Sequence, residues 1–194
     1  MRSRPRVPLL SSRRAVLVGG AAGLAVTVVG PAAWADDASE IARQAREALD
    51  KLYAEDDTAR ALGARSRAVL VFPEITKAGF IVGGENGQGV MFVGAKVVGF
   101  FQISAGSFGL QAGAQKYGYA LFFLNDKAID YVRSKQGFSI GTGPSVVLVD
   151  KGFARSMNTT TLRKDVYAVA FNQRGLMGGL GLQGSKISEI EPPK

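Results

Sequence analysis

The chain has 194 residues, no cysteine and no histidine, and 24 basic against 16 acidic side chains, for a formal net charge of +8. Without those two residue types it has no thiol nucleophile, no imidazole base, no Ser-His-Asp triad, no disulfide and no lipid-bearing N-terminal cysteine. Its length is that of a single domain, large enough to bury a core without cross-links.

Met1 to Arg14 carries five arginines (Arg2, Arg4, Arg6, Arg13, Arg14) and no acid, and the uncharged stretch that follows ends at Ala33-Trp34-Ala35, just before Asp36-Asp37. A basic region, an apolar region and a small-x-small site, in that order, form a signal peptide over residues 1–35, cleaved after Ala35. Ser12-Arg13-Arg14-Ala15-Val16-Leu17 is similar to the twin-arginine export consensus, with Val16 where Phe is usual and Val18 where Lys is usual. Four glycines keep the apolar stretch mildly hydrophobic. The alternative is an uncleaved anchor, since Ala15 to Ala33 is just long enough to span a bilayer. The expected location is exported, periplasmic or extracellular and peripheral on a membrane.

Cleavage leaves 194 less 35, or 159 residues, and 24 less five, or 19 basic side chains against 16 acidic, a net +3. The high charge therefore belongs mainly to the export segment, and nucleic acid is not an expected partner. The mature part, 36–194, divides into a helical 36–66, a sheet-rich 67–188 and a tail, 189–194.

Asp36 to Ala54 has Ile41, Ala45, Ala48, Leu49 and Leu52 at helical spacing and acids near its start, where the helix dipole favours them. A short second helix is expected over Thr58 to Ala64. From Arg67 the pattern is that of strands. Ala68 to Phe72 is stopped by Pro73, and Gly79 to Gly84 and Gly89 to Gly94 flank Glu85-Asn86-Gly87-Gln88, whose Asn-Gly pair predicts a hairpin turn. Those glycines lack the Gly-Lys-Ser/Thr that opens a helix in a phosphate-binding loop. Lys96 to Ser104, Phe108 to Gln115 and Tyr117 to Leu124 continue as strands. A helix over Asp126 to Ser134 is capped by Asn125, with Ala128, Ile129 and Val132 inward. Apolar runs follow at Pro144 to Val149, Val166 to Phe171 and Leu176 to Leu182, with a polar loop over Lys151 to Thr161. The fold class is α+β: an N-terminal helix packed on a strongly curved, Gly-rich antiparallel sheet, bending toward a barrel, with one further helix.

Carboxylate pairs such as Glu74 with Glu85, or Asp150 with Asp165, cannot be set face to face from sequence, and surface acids are the better reading. No acid run has calcium-loop spacing. The domain is expected to be non-enzymatic, with no metal and no cofactor.

Ala68-Val-Leu-Val-Phe-Pro73, Lys77-Ala-Gly-Phe-Ile-Val-Gly-Gly84, Gly87-Gln-Gly-Val90, Gly106-Ser-Phe-Gly-Leu-Gln-Ala-Gly-Ala-Gln115 and Arg174-Gly-Leu-Met-Gly-Gly-Leu-Gly-Leu-Gln-Gly-Ser185 occur in that order. Together they make Ala68 to Ser185 resemble the SYLF domain family. The resemblance implies a non-enzymatic module that binds lipid or a membrane surface, here through anionic headgroups at the cell envelope. The phosphoinositide and actin roles of eukaryotic members transfer poorly to an exported chain. Lys77, Lys96 and Lys116 lie beside apolar or aromatic residues, and Phe100-Phe101 puts one ring on each face of a strand, so these five are the candidate lipid-binding residues. The plainer reading makes each lysine a solvated strand-end charge, one ring core, and the first helix a cover for the sheet. Two other functional readings stay open: an envelope protein partner met through strand edges or a glycine-rich face, and a carrier holding lipid in a sheet-lined cavity. The sequence assigns no oligomeric state.

Overall fold

The computed structural model describes residues 31–134, 136–141, 143–149, 163–175 and 184–194, with side chains described outside 31–36, 79–82, 107–113 and 175. Arg13 and Arg14, the loop over 151–161 and the run over 176–182 lie outside the described residues.

The first helix, α1 (Pro31–Glu55), starts ahead of the expected 36, so Ala33 and Ala35 fall in its first turns. Its register buries Ala45, Leu49 and Leu52, while Arg43 bridges Glu40 and Glu47 on the exposed side. Asp56 then ends one helix and caps the next, α2 (Asp57–Gly63), by accepting from Thr58 N at 2.8 Å and Ala59 N at 3.1 Å.

The six strands expected between Ala68 and Leu124 are in fact two: β1 (Ala68–Val93) and β2 (Lys96–Phe123), one very long antiparallel hairpin. Its turn is Gly94-Ala95, with Gly94 at φ 58°, and not Asn86-Gly87. Asn86 pairs with Ser104 and Gly87 with Ile103, well inside the ladder. Pro73 does not end β1, because it falls where the register shifts between Phe72 and Ile75 and its missing N–H breaks no regular pair. Gly87 serves close packing. A Cβ there would lie 2.8 Å from Ile75 Cγ1 and 2.9 Å from the Glu74 carbonyl oxygen. The hairpin thus curls until residues 87–89 rest on residues 71–75.

Beyond β2 come α3 (Asp126–Val132), β3 (Phe138–Ser139), β4 (Val146–Leu148), β5 (Val166–Gly175) and β6 (Lys186–Ile190). Asn125 caps α3 through Ala128 N, as expected, and Ala128 and Val132 are buried. Outside β1, the sheet runs β3-β6-β2-β5-β4. The β4–β5 pair is parallel, which corrects the all-antiparallel expectation: their connection is a crossover and not a hairpin. The expected tail also shortens, since Glu189 and Ile190 pair with Phe101 and Phe100 as the end of β6.

The fold is α+β, a curled half-barrel sheet with helices against it. Strand alternation sends side chains to two cores. The inner one, inside the curl, holds Leu70, Phe72, Ile75, Met91, Phe101, Ile103, Tyr117, Tyr119, Leu121 and Phe123, closed by α3 and Phe138. The outer one holds Val69, Val71, Val90, Phe92, Phe122 and Val169 beneath α1 and α2.

Candidate functional site

The five candidate lipid-binding residues do not converge. Phe101 is fully buried in the inner core, and Phe100 is part-buried against the outer one. Both faces of this strand are covered, so Phe101 is a core residue and not a membrane contact. Lys116 is exposed but held by Glu74 at 2.6 Å. Lys77 pairs with Gln115 and Thr76 with Lys116, so the two lysines leave opposite faces of the hairpin: Lys116 outward, Lys77 part-buried on the inner row below Ile75.

Lys96 stands apart from all of these, directly after the tight turn. It is exposed, and so are its neighbours Val93 (45 %) and Val97 (43 %), in a sheet whose other described valines are mostly buried. The turn is braced from behind by α1. Arg46 places its guanidinium 4.1 Å from the centre of the Phe92 ring and donates to the Ala95 carbonyl at 2.9 Å. Beside the brace is a cavity of about 320 Å³ lined by Arg46, Tyr53, Arg67, Phe92 and Gly94, among others. Burial pushes the Tyr53 hydroxyl up to about 12. Arg67 is shared with Asp126 at 3.5 Å, both ends solvated. The tip is therefore a rigid point that offers two apolar side chains and a cation, with two arginines behind it. Sequence reading singled out Lys96 but missed Val93, Val97 and Arg46, because the turn had been placed at Asn86-Gly87.

A second polar group lies inside the curl. Glu85, 5 % exposed, accepts from Ser185 Oγ at 3.2 Å and from the Tyr117 hydroxyl. Burial first, and then that carboxylate, raise the Tyr117 and Tyr119 hydroxyls well above the usual phenol range. Gln115 is 1 % exposed, and among the described residues neither its amide nitrogen nor its oxygen has a partner.

Gly137-Phe138-Ser139-Ile140-Gly141 has the Gly-x-Ser-x-Gly spacing of a nucleophile elbow, a motif that the reading of the sequence wrongly counted as absent. Ser139 lies in the two-residue β3 and not at a strand-to-helix turn, and the chain has no histidine to activate it.

Residues 104–191 match the family model described as Ysc84, Las17-binding protein actin regulator. The match is that of a SYLF-family domain over residues 104–191. No curated protein matches it. The SYLF match takes in most of β2 and everything from α3 to the end of β6; α1, α2, β1 and the hairpin tip precede it. The inner polar group straddles that boundary: Gln115, Tyr117 and Ser185 lie within the match, Lys77 and Glu85 before it. The family suggests an actin- or lipid-binding module.

Proposed function

We propose that this protein is a non-enzymatic, exported module that binds anionic lipid peripherally at a membrane of the cell envelope, with the β1–β2 tip as its contact point. The observation that carries the reading is Lys96 between exposed Val93 and Val97, on a turn braced by Arg46. Small apolar side chains enter the headgroup boundary while the cation meets lipid phosphate. The family match and the arginine-rich leader of the sequence support the same reading.

The test is co-sedimentation of the full chain with neutral phosphatidylcholine vesicles and with anionic vesicles of phosphatidylcholine and phosphatidylglycerol, at two salt concentrations. Binding is expected for anionic vesicles alone and weakens with salt. A lysine near an anionic surface contributes about 1 kcal/mol, so Lys96→Ala should weaken binding about fivefold. Val93→Ser with Val97→Ser should weaken it further without unfolding the protein. Unchanged pelleting of Lys96→Ala, or no pelleting of the wild type, overturns the reading.

A second reading, an envelope protein partner, is favoured by Leu148, 48 % exposed on β4 at the end of the strand order. One stoichiometric partner lost on Leu148→Asp, with no vesicle binding, would select it.

A further inference from the structure

Glu85, Gln115, Tyr117 and Ser185 come from three strand regions far apart in sequence, yet the curl gathers them at one end of the inner core. Glu85 pairs with Ala105 on the row that carries Ile103 and Phe101 inward. Ser185 precedes Lys186, which pairs with Ser104. Gln115 and Tyr117 alternate inward on β2, roughly 7 Å apart along the strand. Lys77, opposite Gln115, stands on the same inner row where it becomes part-exposed.

Two features of this group are incomplete as they stand. Glu85 has two hydroxyl donors but, among the described residues, no cation within ion-pair distance. Buried carboxylates are ordinarily matched by a positive group. Among the described residues, Gln115 buries a donor and an acceptor with nothing against either, a costly arrangement in a closed core. Lys77 supplies the reverse charge at the rim, and among the described residues it makes no ion pair. One end of the site therefore lacks a cationic N–H donor, and its rim holds a cation that lacks an anion.

We infer that this inner end of the curled sheet is a binding site for a phosphoethanolamine-type headgroup. The primary ammonium goes to Glu85 and the Gln115 carbonyl, and the phosphate to Lys77. A primary ammonium supplies the missing positive charge and N–H donors together. A quaternary ammonium of the same charge donates no hydrogen bond to Glu85 or Gln115. The apolar wall of Ile103 and Phe101 lies next to the site. This site is separate from the hairpin tip and does not depend on it.

The test uses the full chain and three soluble probes: lysophosphatidylethanolamine below its micelle concentration, lysophosphatidylcholine with the same acyl chain, and glycerophosphoethanolamine. Calorimetric titration and thermal melting are read together. The ethanolamine lipid should bind and raise Tm, and the choline lipid should bind about tenfold more weakly, the difference left by hydrogen bonds to charged groups. If glycerophosphoethanolamine binds as well as the lipid, the site takes a free headgroup; if only the acylated probe binds, it takes a lipid. Glu85→Gln keeps an acceptor for Ser185 and Tyr117 but removes the charge, and should weaken ethanolamine binding about tenfold. Gln115→Leu is the control for a merely awkward core: it should raise the ligand-free Tm while abolishing the ligand-induced rise. Equal response to both headgroups, no response to any probe, or a full response in Gln115→Leu overturns the assignment. The vesicles that test the tip contain no ethanolamine lipid, so failure here and failure of vesicle binding are told apart.

Discussion

Gly87 and Gly89 lack side chains because the curl leaves no space for them. A Cβ on Gly89 would lie 2.5 Å from the Phe72 ring and 2.8 Å from the Val71 carbonyl oxygen, and Gly87 is held as tightly by Ile75 and Glu74. Backbone cannot yield as a flexible side-chain end can, so Gly87→Ala and Gly89→Ala should each cost about 1–3 kcal/mol, the usual range for overpacking. Gly84 and Gly106 make the comparison. A Cβ at Gly84 meets only the Ala105 carbonyl at 3.8 Å, and one at Gly106 meets nothing within 4 Å. Gly84→Ala should therefore fall within about 0.5 kcal/mol of wild type. Urea unfolding of the three variants measures this, and equal losses at all three positions would contradict the close-packing account. The same residues explain why Asn86-Gly87 misleads. Local turn chemistry favours a hairpin there, but the glycine answers to Ile75, a contact twelve residues back that no local pattern reports.

Asp165, just before β5, ties three elements together. Its carboxylate accepts from Ser145 N and Ser145 Oγ ahead of β4, both at 3.1 Å, and from Asn125 Nδ2 at 3.0 Å, while the other end of Asn125 caps α3. The Ser145 backbone N–H, then Asn125, hold the Asp165 pKa below the usual carboxylate value. A depressed folded pKa means the unfolded chain binds the proton first as pH falls. This contribution is therefore complete above the unfolded value of about 4 and is lost as pH drops through the lower folded value. Melting temperatures across acid pH should fall less steeply for Asp165→Asn than for wild type, with the variant already less stable at neutral pH; parallel curves would remove Asp165 from the acid response. At this scale the helices were legible, since Ala45, Leu49 and Leu52 repeat at helical period and Asn125 is a recognisable cap. Strand positions were legible too, but strand number was not. Pro73 is a local breaker that the long hairpin absorbs at a register shift, whereas Gly83, Gly84, Gly87 and Gly89 pair in regular register. Glu189 and Ile190, the end of β6, were placed in the tail because Pro192-Pro193 follows them closely, and only their pairing with Phe101 and Phe100 shows them in the sheet.

The two faces of one curled sheet have different fates, and this decides which parts of the molecule can act on something outside it. The outer face is spent on α1 and α2, where eight of the sixteen acids lie between Asp36 and Asp57, while the hairpin tip is an exposed apolar-and-cationic point among the described residues. Of the five residues proposed from sequence, Lys96 lies exposed at the tip, and Lys77 takes up an inner position that β-strand parity alone would have given once the pairing partner, Gln115, was known. Glu85 was unreadable as an interior acid because its neighbours resemble a turn. The inner face has its own signature under alkali. Tyr117 and Tyr119 point into the curl from β2, and burial and Glu85 hold both hydroxyls protonated well beyond the ordinary range. With folded values above the unfolded value of about 10, their contribution is intact below that pH and is lost as pH rises past it. These two rings should ionise only as the curl opens, so part of the phenolate absorbance should appear together with the loss of β-sheet circular dichroism. Tyr117→Phe should flatten the alkaline fall in stability, because one of the two strongly shifted groups is gone, while leaving Glu85 with Ser185 as its hydrogen-bond donor. Complete phenolate absorbance in a protein that still shows its native sheet signal would mean that Tyr117 and Tyr119 are open to solvent, and the closed inner core would have to be abandoned.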